Sequence, residues 1–212
     1  MSYHYIDMET YERRAHFDYF RSLQYPYVGV TADIDVTHVV EFCKEHKRSF
    51  YLTILHLAAL AADGVPELRQ RIRDDRIVEY DQCPTSHTER TEGAAYCYCT
   101  VHHHMDLQDY YEKAEGARAA CKENGIEEDD DVESMYFIST LPWIHYSSLI
   151  QPVAGGDESN PRITWGRYTR TESGRIMMPM SILAHHALVD GAQIGEFYEN
   201  LEKEIGKLAD LS

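Results

Sequence analysis

Between Ser49 and Gly64 the chain reads SFYLTILHLAALAADG, with apolar residues almost all the way round a helix. A helix with no polar face cannot lie on a surface, so other layers must wrap it. Ser49 supplies an N-cap hydroxyl, Gly64 an expected C-terminal stop, and Pro66 follows. With 212 residues, 43% of them hydrophobic, the chain can build those layers, and one domain is expected over residues 1–212.

The remaining pattern supplies both helices and strands. Thr37 to Lys47 predicts a short amphipathic helix capped by Thr37, with Val39, Val40 and Cys43 inward. Asp106 is placed to cap a helix through Leu107, Tyr110, Tyr111, Ala114, Ala117 and Cys121, ending near Gly125. Ile194, Phe197, Leu201, Ile205 and Leu208 recur at helical spacing and predict a final helix of about five turns after Gly191. Strand signals fall at Ile77–Tyr80 after the turn Arg73–Arg76, at Ala95–Val101, Met135–Ser139, Ile144–Ile150, Arg162–Tyr168 and Ile176–Leu183. Helices early and strands throughout predict an α+β fold, a two-layer sandwich in which helices cover a mixed β-sheet. The acidic run Glu127–Asp131 reads as a solvated loop.

Charge narrows the functional classes. A formal net charge of −16 disfavours nucleic acid, which demands a concentrated basic footprint. No stretch approaches the roughly 20 apolar residues of a membrane helix, and the N-terminus has neither a basic nor an apolar leader segment. Five cysteines without a Cys-x-x-Cys pair suit a reducing compartment, so the cytoplasm is expected. His102-His103-His104 is read as a loop, since adjacent side chains on a strand diverge and no further ligands follow at useful spacing; no metal is expected.

The segment Ser181–Gly191 carries the chemistry. A strand delivers His185 and His186 into a turn, and Asp190-Gly191 launches the last helix, giving His-His-x-x-x-Asp-Gly. Imidazole titrates near neutrality, so a fixed His can take a proton from an alcohol and return it. An Asp four residues later can cap the helix or pair with an arginine. Alone, a bare His-x-x-x-Asp is better read as packed histidines and a simple cap.

With its apolar strand and Pro179, the segment resembles the active-site segment of the chloramphenicol acetyltransferase family. Further stretches resemble that family in order: Tyr11–Phe17, Ser49-Phe50-Tyr51, Pro66–Arg69, Arg73–Val78, Ile138–Trp143 and Thr164–Tyr168. The likeness spans about Tyr3 to Glu204. It implies an acyltransferase fold dependent on CoA, acetyl-CoA as co-substrate, and acetyl transfer to a hydroxyl of a small molecule, chloramphenicol or a related compound. It also implies a homotrimer with each site at a subunit boundary, where His186 and Ser139 converge on one cavity.

Roles follow from the resemblance residue by residue. His186 matches the general base and Ser139 the hydroxyl that stabilises the oxyanion. Thr164 matches a threonine that holds a water, and Asp190 with Arg13 a salt bridge behind the histidine. Trp143, Tyr168, Arg48 and Tyr51 fall where the CoA path is expected. Phe20, Gln24 and Val28 fall at acceptor-pocket positions and depart from the family pattern, as do Thr91–Ala95 and Glu127–Asp131. Two other readings stay open: a dihydrolipoyl-type acyltransferase with a thiol acceptor, ranked lower because no lipoyl segment precedes the motifs, and a non-catalytic ligand-binding trimer.

Overall fold

The computed structural model describes residues 1–91, 96–124 and 131–209. The strands are β1 (Tyr3–Tyr5), β2 (Tyr27–Asp35), β3 (Gln70–Arg73), β4 (Arg76–Tyr80), β5 (Thr85–Arg90), β6 (Tyr96–Val101), β7 (Tyr136–Leu141), β8 (Arg162–Gly166), β9 (Thr169–Arg170) and β10 (Ile176–His185). The α-helices are α1 (Arg14–Arg21), α2 (Thr37–Glu45), α3 (Phe50–Asp63), α4 (Leu107–Asn124) and α5 (Gly191–Ala209). The main sheet has the order β2-β10-β8-β7-β5-β6, with β9 beside β10, and β1-β4-β3 form a separate sheet. β7 runs parallel to both β5 and β8 while the other pairs are antiparallel, so the main sheet is mixed, as the sequence pattern predicts.

The buried helix α3 packs against α2, α4 and α5, and ten of the eleven residues from Leu52 to Ala62 are buried, all but Leu60. Ser49 caps it by accepting from the Leu52 amide at 3.3 Å. α3 ends at Asp63 with Gly64 as its C-cap, as expected, although that glycine does not turn left-handed, its φ being −66°. A Cβ there would lie 2.8 Å from Asn200 Nδ2, so the bare glycine instead admits α5. Thr37 likewise does not cap α2: Asp35 Oδ1 accepts from the Thr37 amide at 3.0 Å, and the Thr37 hydroxyl accepts from the Ile176 amide at 2.8 Å, tying α2 to β10. Asp106 caps α4 as expected, accepting from the Asp109 amide at 3.0 Å. Between β3 and β4, Asp74 and Asp75 both adopt positive φ, which turns the chain in a tight hairpin.

The strand expected at Ile144–Ile150 does not form. β8 is paired on one edge by β7 and on the other by β10, so its ladder has no vacant edge for a β-branched segment to join. The segment crosses the sheet as a strap instead. Arg167 donates its amide to Ile144 O at 2.7 Å, and the Tyr146 hydroxyl donates to Thr164 O at 2.7 Å. Gly166 permits the approach, for a Cβ there would meet Ile144 O at 2.7 Å. Residues Thr91–Ala95 and Glu127–Asp131, read above as departures from the family pattern, lie outside the described residues except at Thr91 and Asp131.

Burial alternates along β5, β6 and the start of β7. His87, Cys97, Cys99, Tyr136 and Ile138 face the helices, while Thr88, Tyr98, Phe137 and Ser139 lie on the opposite, less covered face.

Candidate functional site

β10 ends at His185, and the next five residues turn the chain into α5. Leu188 and Val189 donate amides to His185 O at 3.0 Å each, and His186 donates its amide to Pro26 O at 2.7 Å, locking the turn to the start of β2. The two histidines divide their work. His185 is buried, donates from Nε2 to Gly156 O at 2.7 Å and accepts at Nδ1 from the Ala187 amide at 3.2 Å, so both ring nitrogens are used. Burial pushes its pKa down and keeps it neutral.

His186 differs. Its Nδ1 lies 2.9 Å from Val189 O, and a carbonyl can only accept, so the ring proton resides on Nδ1. Nε2 then presents its lone pair, and it makes no hydrogen bond among the described residues. Phe20 from α1 stacks on the imidazole with centroids 3.8 Å apart. Val28 lies beside this turn, opposite Ala184 in the β2–β10 ladder, while Gln24 sits in the exposed bend between α1 and β2.

Arg13 braces the turn from behind. It donates to Leu188 O at 2.7 Å and approaches Asp190 Oδ2 at 3.2 Å. Asp190 also caps α5, accepting from the Ala192 amide at 2.8 Å, while Gln193 Oε1 accepts from the Asp190 amide at 3.0 Å. Between them the two side chains satisfy two amides at the start of α5.

A second cluster lies further down the sheet. Ser139, Thr164 and Ser181 stand in one row across β7, β8 and β10. A cavity of about 510 Å³ opens beside Ser139 and is also lined by Ser86, Tyr98, Phe137, Gln151 and Arg162. The Ser139 hydroxyl makes no hydrogen bond among the described residues. Thr164 is buried, and its Oγ1 accepts from Gln151 Nε2 at 2.7 Å. Gln151 had no signal in the sequence, because it directly follows the strap that strand propensity misassigned.

His186 and Ser139 do not converge within one chain. His186 lies five residues beyond Ser181, hence roughly 16 Å along the strand from the Ser139 row, and it does not line the Ser139 cavity. One copy therefore presents the His186 imidazole at one end of the sheet and the Ser139 hydroxyl elsewhere.

Of the four residues expected on the CoA path, Tyr51 and Tyr168 line a second cavity of about 270 Å³, with Phe50, Thr140, Trp165 and Arg167. Phe50 and Tyr168 meet edge-on at 5.1 Å, and Tyr51 lies 5.7 Å from Trp165. Trp165 was not singled out from sequence. Trp143 is 68% exposed beside this cavity's Pro142 without lining it. Arg48 also stands outside, over the Tyr111 ring at 4.9 Å and bonded to Gln108.

Comparison with known proteins places this geometry. The family model described as chloramphenicol acetyltransferase matches residues 1–202. A chloramphenicol acetyltransferase of Escherichia coli is 28% identical over 208 residues, covering 93% of this chain and 91% of the relative. One of Haemophilus influenzae, chloramphenicol acetyltransferase 2, is 25% identical over 211 residues, covering 95% and 96%. A solved chloramphenicol acetyltransferase superposes with a TM-score of 0.86 at 25% identity, covering 96% of this chain and 100% of that one. A probable dihydrolipoamide acetyltransferase from Listeria monocytogenes superposes at 0.68 with 13% identity and 93% coverage of each chain, a likeness of fold alone.

Proposed function

Since the chain belongs to the chloramphenicol acetyltransferase family, we propose that it transfers the acetyl group of acetyl-CoA to a hydroxyl of chloramphenicol or a related compound. The observation that carries this reading is the exposed Nε2 lone pair of His186, set by the bond from Nδ1 to Val189 O. A neutral imidazole held in that tautomer is a general base near neutral pH.

In this mechanism His186 Nε2 takes the acceptor's hydroxyl proton as that oxygen attacks the thioester carbonyl. The tetrahedral oxyanion accepts a hydrogen bond from Ser139, with Thr164 and its neighbourhood ordering a water. The C–S bond then breaks, and the imidazolium returns its proton to the CoA thiolate. No acyl-enzyme forms.

The separation of His186 from Ser139 supports assembly of the site between copies, and a homotrimer is the proposed state. Each boundary then joins the His186 turn of one protomer to the Ser139 face of the next, with Phe20, Gln24 and Val28 against the acceptor. The apolar cavity with Tyr51 and Tyr168 is the proposed passage for the pantetheine arm, and Arg167 on its wall is a cation in reach of the cofactor's phosphates. No helix among the described residues is long and apolar enough to cross a membrane. Five free cysteines suit the cytoplasm as the place of action. A thiol acceptor of the dihydrolipoyl kind is not favoured, because the chain shares only fold with that group.

The test is a thiol-release assay with acetyl-CoA and a panel of hydroxylated compounds that includes chloramphenicol. Turnover of at least one acceptor is expected, with kcat falling about 10²–10⁴-fold in His186→Ala while CoA still binds. Full activity in that variant rules out the base; no CoA release with any acceptor rules out the enzyme.

A further inference from the structure

The triple histidine at 102–104, read from sequence as a plain loop, has a partner 40 positions upstream. Residues 102–104 follow β6 without being a strand, so adjacent side chains need not diverge. His103 and His104 both turn Nε2 toward one oxygen, Asp63 Oδ2 at the C-terminal end of α3. His103 lies 2.9 Å from it and His104 makes a closer contact with the same atom. The three donor atoms all lie within 4.8 Å of one another.

Around them the surroundings are ordered. Asp63 is only 7% exposed and His103 1%, while His104 is 39% exposed and opens the cluster to water. The other Asp63 oxygen accepts from the Tyr136 hydroxyl at 2.7 Å, which fixes the carboxylate from behind. His56 Nε2 donates to the His103 carbonyl at 3.1 Å and steadies the backbone that presents both rings.

We propose that Asp63, His103 and His104 form a binding site for Zn²⁺, with water in the fourth position. Two imidazoles and a carboxylate are a common zinc donor set, and donors about 2.0–2.2 Å from one ion stand roughly 3.3 Å apart in a tetrahedron. The three donor atoms, all within 4.8 Å of one another, bracket that spacing. The hydrogen bonds to Asp63 Oδ1 and to the His103 carbonyl are the supporting contacts that metal sites use to orient their ligands. The ion ties three elements together: the end of α3, the β6–α4 connection and, through Tyr136, the start of β7. It is a structural clip, separate from the acetyl-transfer residues, and a chain of net charge −16 favours cation entry.

Chelator-treated wild-type protein is titrated with Zn²⁺ by calorimetry, with Co²⁺ absorption as a second probe. One ion per chain is expected, with a Tm rise of roughly 5–10 °C at a hundredfold excess over Kd. His104→Ala, a substitution at a half-exposed position, is expected to weaken binding at least about tenfold and to leave the metal-free Tm unchanged. Cys121→Ser, which removes the thiol beside Cys97, is expected to bind as wild type does. The site is overturned if wild type takes up no stoichiometric Zn²⁺, if His104→Ala binds equally well, or if the Co²⁺ spectrum shows thiolate charge transfer.

Discussion

The ring of Phe20 lies flat on the imidazole of His186, 3.8 Å between centroids and 16° between planes. Together with the bond from Nδ1 to Val189 O, this stack leaves the imidazole one orientation, with Nε2 outward. An aromatic pair contributes about 0.5–1.5 kcal/mol beyond its buried area. Phe20→Leu is therefore expected to lower kcat up to about tenfold, with KM for acetyl-CoA unchanged, and Phe20→Tyr to retain the wild-type rate. Steady-state kinetics decide it; an unaltered kcat in Phe20→Leu removes the positioning role.

The distance between His186 and Ser139 makes complementation a direct test of the shared boundary. His186→Ala and Ser139→Ala are each expected to lose about 10²-fold or more in kcat. Mixed trimers of the two inactive variants regain activity, because a boundary between unlike chains can pair an intact His186 with an intact Ser139. Mixtures that stay as inactive as their parents contradict a site built from two protomers.

Asp190 does two things that substitution can separate. Asp190→Ala removes both the α5 cap and the Arg13 pair, and is expected to cost about 1–2 kcal/mol in denaturant unfolding. Asp190→Asn keeps the capping oxygen and loses only a partly exposed ion pair, a loss of about 1 kcal/mol or less. Equal losses from the two variants contradict this division.

Acid should weaken the fold well above the carboxylate range. Burial holds His56 down to about 4 and pushes His185 below the ordinary imidazole value. Once unfolded, both take a proton near pH 6.5, so between that value and the folded pKa the unfolded chain binds more protons. Stability is thus fully present above about pH 6.5 and declines as the pH drops toward 4, with roughly 3 kcal/mol of the decline from His56. Depressed carboxylates such as Glu89, at about 2, contribute a separate loss at lower pH. Urea unfolding at pH 7.5 and 4.5 measures the slope, and His56→Leu is expected to flatten it by one proton; an unchanged slope contradicts the assignment.

Legibility followed the range of the interactions. Periodicity and local capping disclosed α3, α4 and α5, because each announces its buried face and end residues within a few positions. The His186–Asp190 turn was readable for the same reason, and family likeness paired Asp190 with Arg13 across the chain. The strap at Ile144–Ile150 was misread, since strand propensity does not record whether a neighbouring edge is vacant, and both edges of β8 are occupied. Gln151 on Thr164, and Asp63 between His103 and His104, left no trace in spacing.

The order of residues by itself determined the α+β class, the buried central helix and a histidine presented at a strand end, all products of hydrophobic period and short-range hydrogen bonding. Only the tertiary structure decided which nitrogen of His186 is available, that Ser139 stands apart from it in one chain, and that two loop histidines meet a helix-end carboxylate. Those outcomes depend on strand order and register, which bring distant residues together through contacts that no local pattern encodes.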